Sequence, residues 1–149
     1  MLKKLRSICI FLAILLCLYA YFHVDGSEIE GVKDISEDCT VTIAKYPWME
    51  WENRTEYVLD GSQIQSLKAL LMESSFTRNP TVIVTGNFQM KYYITVEYAA
   101  STPPLILDCI DNKYILVMND SDQFSGKFLN VNNPSWQKSL EELLQVSAP

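Results

Sequence analysis

The chain has 149 residues, 48% of them hydrophobic and 11% aromatic, and a formal net charge of −6. That is one domain's worth of chain with ample material for a core, which excludes disorder through most of its length. An acidic balance without clustered Lys and Arg excludes nucleic acid as a partner and argues against electrostatic docking on anionic lipid.

The charge is unevenly placed. Lys3, Lys4 and Arg6 precede an uncharged apolar run of 15 residues, Ile8 to Phe22, and Asp25, Glu28, Glu30, Asp34, Glu37 and Asp38 follow it. Basic, apolar, acidic is the order of an N-terminus held in the cytoplasm while the remainder crosses the membrane. As a helix the run is about 22 Å long, and Ser7, His23 and Val24 would bring it to about 27 Å. Snorkelling by Lys4 and Arg6 covers the rest of a ~30 Å hydrocarbon core. Neither Val24-Asp25-Gly26 nor Leu18-Tyr19-Ala20 makes a good cleavage site, and Leu16 is too large before Cys17 for lipidation. The expectation is an uncleaved, single-pass anchor over 1–24 with the C-terminal part outside the cytoplasm; a cleaved signal would make the protein secreted. Residues 25–38 read as an acidic, solvated linker. Residues 39–149 read as the extracytoplasmic domain. All 18 acidic residues and nine of the 12 basic ones lie beyond residue 24, so that part carries −9.

In chain order, Cys39 to Tyr46 has the β-branched alternation of a strand, ended by Pro47. A loop with Trp48 and Trp51 leads to a second strand, Thr55 to Leu59. Asp60-Gly61 is a turn, and Ser62 with Gln65 has capping-box spacing. The helix from Gln63 to about Ser74 places Ile64, Leu67, Leu70 and Leu71 on one face. Asn79-Pro80 breaks the chain. Strands are expected at Thr81–Thr85, Phe88–Tyr98, Leu105–Ile110, Lys113–Asn119 and Phe128–Val131, with turns at Gly86-Asn87 and Asp111-Asn112. Asn133 caps a closing helix with Trp136, Leu140, Leu143 and Leu144 as its apolar stripe. The fold class is therefore α+β: an antiparallel sheet with two helices packed on one face, behind an N-terminal transmembrane or signal helix.

The chemistry is sparse. The one histidine, His23, sits at the membrane boundary, which removes Ser-His, Cys-His and most zinc arrangements. No cofactor or metal is expected; the loop around Asn119, Asp120, Asp122 and Gly126 lacks the glycine position and closing Glu of a calcium loop. Cys39 and Cys109 form an even pair on the oxidising side. They are either bridged or two separate buried thiols. Asn53-Arg54-Thr55 and Asn119-Asp120-Ser121 match the short glycosylation pattern.

One segment looks deliberate. Tyr46-Pro47-Trp48-Met49-Glu50-Trp51 crowds aromatics into a loop. Trp48 and Trp51 are the candidate binding residues, anchors for a protein, a peptide or a sugar; otherwise the loop folds back to seal the core. The layout resembles small, uncharacterised membrane-anchored and lipoprotein-like extracytoplasmic proteins of Gram-positive bacteria. It shares their basic-apolar N-terminus, acidic spacer, Ser62-Gln63-Ile64-Gln65-Ser66-Leu67 helix, Tyr92-Tyr93-Ile94-Thr95-Val96 meander and closing helix. The resemblance implies no activity and carries over no site residues. The expected function is a membrane-tethered, non-catalytic binding or accessory module, immunity- or inhibitor-like, meeting a protein or peptide partner. The alternative is a small cell-envelope enzyme using carboxylates drawn from Glu97, Asp108, Asp111 and Asp120.

Overall fold

The computed structural model describes residues 2–80, 87–99, 102–119 and 127–145. Helix α1 (Leu2–Phe22) leads without a break into strand β1 (His23–Asp25). Then come β2 (Thr40–Pro47), β3 (Thr55–Val58), helix α2 (Gly61–Glu73), β4 (Ser75–Arg78), β5 (Met90–Glu97), β6 (Leu105–Ile110), β7 (Tyr114–Asn119), β8 (Lys127–Val131) and helix α3 (Trp136–Gln145). The protein is α+β. Its strands make one eight-stranded antiparallel sheet in the order β1-β4-β8-β7-β6-β5-β2-β3.

The sheet is antiparallel because short turns join β5 to β6 to β7, and β6 pairs β7 from Leu105↔Asn119 to Ile110↔Tyr114. Alternation then sorts the faces. Val41, Ile43, Tyr92, Ile94, Leu107 and Ile115 are fully buried on one face. They pack with Ile64, Leu67 and Leu71 of α2 and with Trp136, Leu140 and Leu144 of α3. Each buried Leu of this kind contributes about 1.5–3 kcal/mol of transfer free energy. Asp60 caps α2: its carboxylate accepts from Gln63 N–H at 2.9 Å, and the Gln63 amide oxygen accepts from Asp60 N–H at 2.9 Å. The expected box at Ser62 and Gln65 is therefore two residues late; Ser62 instead donates its hydroxyl to Asp60 at 2.7 Å. Gln63 is itself buried and donates to Leu143 C=O at 3.0 Å, tying α2 to α3.

Several expectations are corrected. The stretch 25–38, expected to be solvated, packs on the domain in two short 3-10 turns that bury Ile29, Val32 and Ile35. Its acidic residues face outward while three β-branched apolar residues, each three apart, do the packing. Gly26 makes the close approach: its N–H donates to Ser74 C=O at 2.8 Å, and a Cβ there would lie 1.7 Å from Leu71 C=O. Strand β4 falls between the expected helix end at about Ser74 and the break at Asn79-Pro80, where no element is expected. It is only four residues long, between β1 and β8, too short for alternation to register. The expected strand 81–85, the turn at Gly86 and the loop 120–126 lie outside the described residues.

Cys39 and Cys109 are both free thiols, so the bridge is not formed. The register gives the reason. Cys109 pairs with Tyr92, and Tyr92 with Lys45. Cys39 lies six residues before Lys45, about 20 Å along the strand at roughly 3.3 Å per residue. A disulfide needs Cα atoms within about 7 Å.

The N-terminal helix also differs. His23 and Val24, expected to lengthen it, begin the sheet: His23 pairs with Thr77 and Val24 with Phe76. Among the described residues no helix is long and apolar enough to cross a membrane. The apolar side chains of α1 from Ile8 to Tyr21 are nevertheless largely exposed, Leu16 at 68%.

Candidate functional site

The face of the sheet turned away from α2 and α3 carries the unusual chemistry. Tyr46 on β2, Lys91 and Tyr93 on β5, Asp108 on β6, Tyr114 on β7 and Phe128 on β8 alternate with the core residues and so point to this side. Lys91 Nζ lies 2.6 Å from Asp108 Oδ2, and both side chains are mostly buried. Asp108 Oδ1 is buried with no hydrogen-bond partner. Burial pushes the Asp108 carboxyl above its usual range, with Lys91 pulling the other way. For Lys91, burial alone would lower the ammonium's pKa, but the hydrogen bond and charge of Asp108 outweigh it and leave the pKa raised. Burial raises Tyr46 and Tyr93 as well.

Aromatic rings surround this pair. Trp51 meets Tyr46 edge-on at 4.8 Å and Tyr93 edge-on at 6.0 Å. Trp48 lies 4.9 Å from Phe88, Phe88 lies 5.9 Å from Tyr114, and Tyr114 lies 5.3 Å from Phe128. Cations stack among them: Arg54 over Trp51 at 4.9 Å, Lys91 over Trp48 at 5.5 Å and Lys113 over Phe88 at 5.5 Å. The two loop tryptophans thus fold back, but onto this outer face. Neither joins the core, whose tryptophan is Trp136. Trp51 keeps 46% of its surface exposed, and Trp48 is half-buried.

Beside Trp51 the loop is strained outward. Met49 has φ 65°, the left-handed region that costs a non-glycine residue energy, and is 85% exposed. Val58, on the edge strand β3, is also exposed. Outside α1, the exposed large hydrophobic residues among those described are Met49, Trp51, Val58 and Met72, so three of the four belong to the β2–β3 hairpin, two in its loop and Val58 on β3 opposite Thr42. Glu50, Glu52 and Glu56 rim this hairpin, with Arg54 held to Glu56 at 2.6 Å. The sequence singles out Trp48 and Trp51 by their crowding. It does not disclose Lys91 and Asp108, although a charged residue at the alternate positions of an otherwise apolar strand is the signal that could have.

The carboxylates considered for catalysis do not gather. Asp108 pairs with Tyr93, and Glu97 lies four residues further along β5, about 13 Å away. Asp111 accepts from Met90 N–H at 2.8 Å and from Gln89 N–H at 3.2 Å, which holds the hairpin turn. Asp120 lies outside the described residues. Among the described residues no cluster of His, Cys, Asp and Glu could hold a metal ion. His23 stacks on Tyr19 at 5.1 Å and bonds to Asp25 at 3.0 Å. A further polar cluster sits against α3. The Tyr92 hydroxyl donates to Glu141 at 2.5 Å, and Lys45 and Gln137 reach the same carboxylate oxygen at 3.2 and 3.3 Å. The Tyr92 hydrogen bond, followed by that of Lys45, holds the Glu141 carboxyl below its usual range.

The chain matches no protein-family model, no curated protein sequence and no solved structure.

Proposed function

We propose that this protein is a membrane-tethered, extracytoplasmic binding module without catalytic activity, which takes a protein or peptide partner at its β2–β3 hairpin. The observation that carries the reading is that Met49, Trp51 and Val58, all exposed, lie along one hairpin at the edge of the sheet, Met49 and Trp51 in its loop and Val58 opposite Thr42. An apolar centre with a charged rim is the anatomy of a recognition patch. Strand β3 ends the sheet, so its outer backbone groups can pair with an added strand. Three rim carboxylates against one arginine select a basic segment. The tether reading draws on α1. Its 21 residues are about 31 Å long, its basic residues lie in the first turns, and its apolar side chains face outward. With His23 and Val24 in the sheet, such an anchor relies on snorkelling at one end and local bilayer thinning.

The test is site-specific photo-crosslinking in cells that make the full chain. A crosslinker at Val58 should trap a partner that the same group at Glu142, exposed on the outer side of α3, does not. Changing Met49→Asp together with Trp51→Ala should abolish the adduct. Equal adducts from both positions would reject the hairpin as the binding surface. A reporter active only outside the cytoplasm, fused after Pro149, checks the topology separately.

A further inference from the structure

A cleft of about 350 Å³ opens where α1 ends against the sheet. Its floor is apolar: Val24 of β1, Ile29, Val117 of β7 and Leu129 of β8. Its lining also carries charges of both signs. Arg78 of β4 and Lys127 of β8 stand on the sheet wall, and Glu28 and Glu30 stand on the wall made by the chain after β1.

The placement of the cations follows from register. Arg78 pairs with Leu129, and Lys127 is two residues from Leu129, so Arg78 and Lys127 are diagonal neighbours on one face. Such neighbours have Cα atoms about 7–8 Å apart, close enough for one anion to meet both. The Arg78 guanidinium stacks over Tyr21 at 5.5 Å. Among the described residues none of these four charges forms an ion pair. A second, more open hollow, lined by Leu15, Leu18, Tyr19 and Thr77, shares Phe22 with the cleft and continues along the exposed side of α1.

We propose that this cleft binds a zwitterionic amphiphile with a single apolar tail in the groove. An anionic phosphate group meets Arg78 and Lys127, and an ammonium group meets Glu28 and Glu30. The tail starts on the floor of Val24, Ile29 and Leu129 and runs past Phe22 along Leu15 and Leu18. The cleft has the size of a small-molecule site, and its lining combines an apolar floor with charged groups of both signs. The two like charges on one wall repel each other unless an anion lies between them, and charge-assisted hydrogen bonds to phosphate suit Arg and Lys. A purely anionic head would meet two carboxylates on the opposite wall; a zwitterion satisfies both walls.

The test uses the full chain in micelles of an uncharged detergent and a nitroxide-labelled lysophosphatidylethanolamine, read by the immobilised component of its spectrum. Saturable binding of one probe per chain is expected. Arg78→Gln with Lys127→Gln should weaken it about tenfold or more, and Glu28→Gln with Glu30→Gln should do the same. Lys138→Gln, on α3, should leave it unchanged. Circular dichroism checks that the double variants fold, and Lys127→Gln alone, at an exposed position, gives the same direction with a smaller effect. Equal immobilisation in every variant would overturn the site. So would a labelled phosphoglycerol lipid, anionic only, binding as tightly as the zwitterion. Repeating the measurement in phosphatidylcholine vesicles that hold labelled two-chain phosphatidylethanolamine identifies the source. Immobilisation there assigns the ligand to the bilayer, and immobilisation of the lysolipid alone assigns it to a free single-chain amphiphile.

Discussion

The two faces of the sheet obey different rules. The face under α2 and α3 is filled mainly by aliphatic side chains, with Phe76, Tyr92 and Trp136 as its fully buried rings, and its charged groups meet in the Tyr92–Glu141–Lys45 cluster while buried Gln63 bonds to Leu143 C=O. The opposite face is built from aromatic rings interleaved with Lys91, Arg54 and Lys113, around an ion pair with one unpartnered carboxylate oxygen. The first face is the solution that maximises apolar burial. The second spends stability on desolvating charge, which is the pattern expected where a surface is kept for recognition.

Mutations should separate the faces in order of size. Trp136→Ala, at the centre of the helix-covered face, should cost about 3–5 kcal/mol in denaturant unfolding. Leu140→Ala should cost about 2–5 kcal/mol on the same face. A cost below 1 kcal/mol for either would remove α3 from the core. On the outer face, Lys91→Met strands the Asp108 carboxylate and should cost about 2–3 kcal/mol, less than the 3–5 of a wholly buried pair. Replacing both partners, Lys91→Met with Asp108→Leu, should recover most of that loss. If the double variant is no better than the single, the pair is not the isolated unit described here. Trp51→Ala should cost about 1 kcal/mol, since the ring keeps its solvent side and loses mainly two edge-on contacts. The smallest effect is one of pH. Glu141 has a folded pKa below its unfolded value, so its stabilisation is present above the ordinary glutamate range and is lost as pH falls through the lowered folded pKa. Glu141→Gln should flatten the acid limb of the stability curve there. Asp108 has the opposite sign: its raised folded pKa means that its ionisation costs stability as pH rises through that value.

What the sequence disclosed follows the same division. Period-two alternation in Val41–Lys45 and Tyr92–Glu97, and the stripe Trp136, Leu140, Leu143, Leu144, are strong local signals, and those elements lie where the pattern puts them. Strands β1 and β4 were illegible because three and four residues cannot display a period, and both exist only through pairing with distant partners. The burial of Ile29, Val32 and Ile35 was masked by the acidic residues between them. At the candidate site, the crowding of Trp48 and Trp51 is a local feature and could be read. That Lys91 meets Asp108, and that the loop falls on the outer face, depends on register across three strands.

The continuity of α1 with β1 has a mechanical meaning. With no slack between helix and sheet, a pull along α1 acts directly on the three residue pairs His23↔Thr77, Val24↔Phe76 and Asp25↔Ser75. Those three pairs and the three of β4–β8 are the shortest ladders in the sheet, and β1, at the edge and joined directly to α1, would detach first while β2, β5 and β6 held. Tension on the N-terminal helix would therefore unzip one edge and open the cleft beside Val24 before it unfolded the domain. The edge of the sheet would act as a force-limited latch.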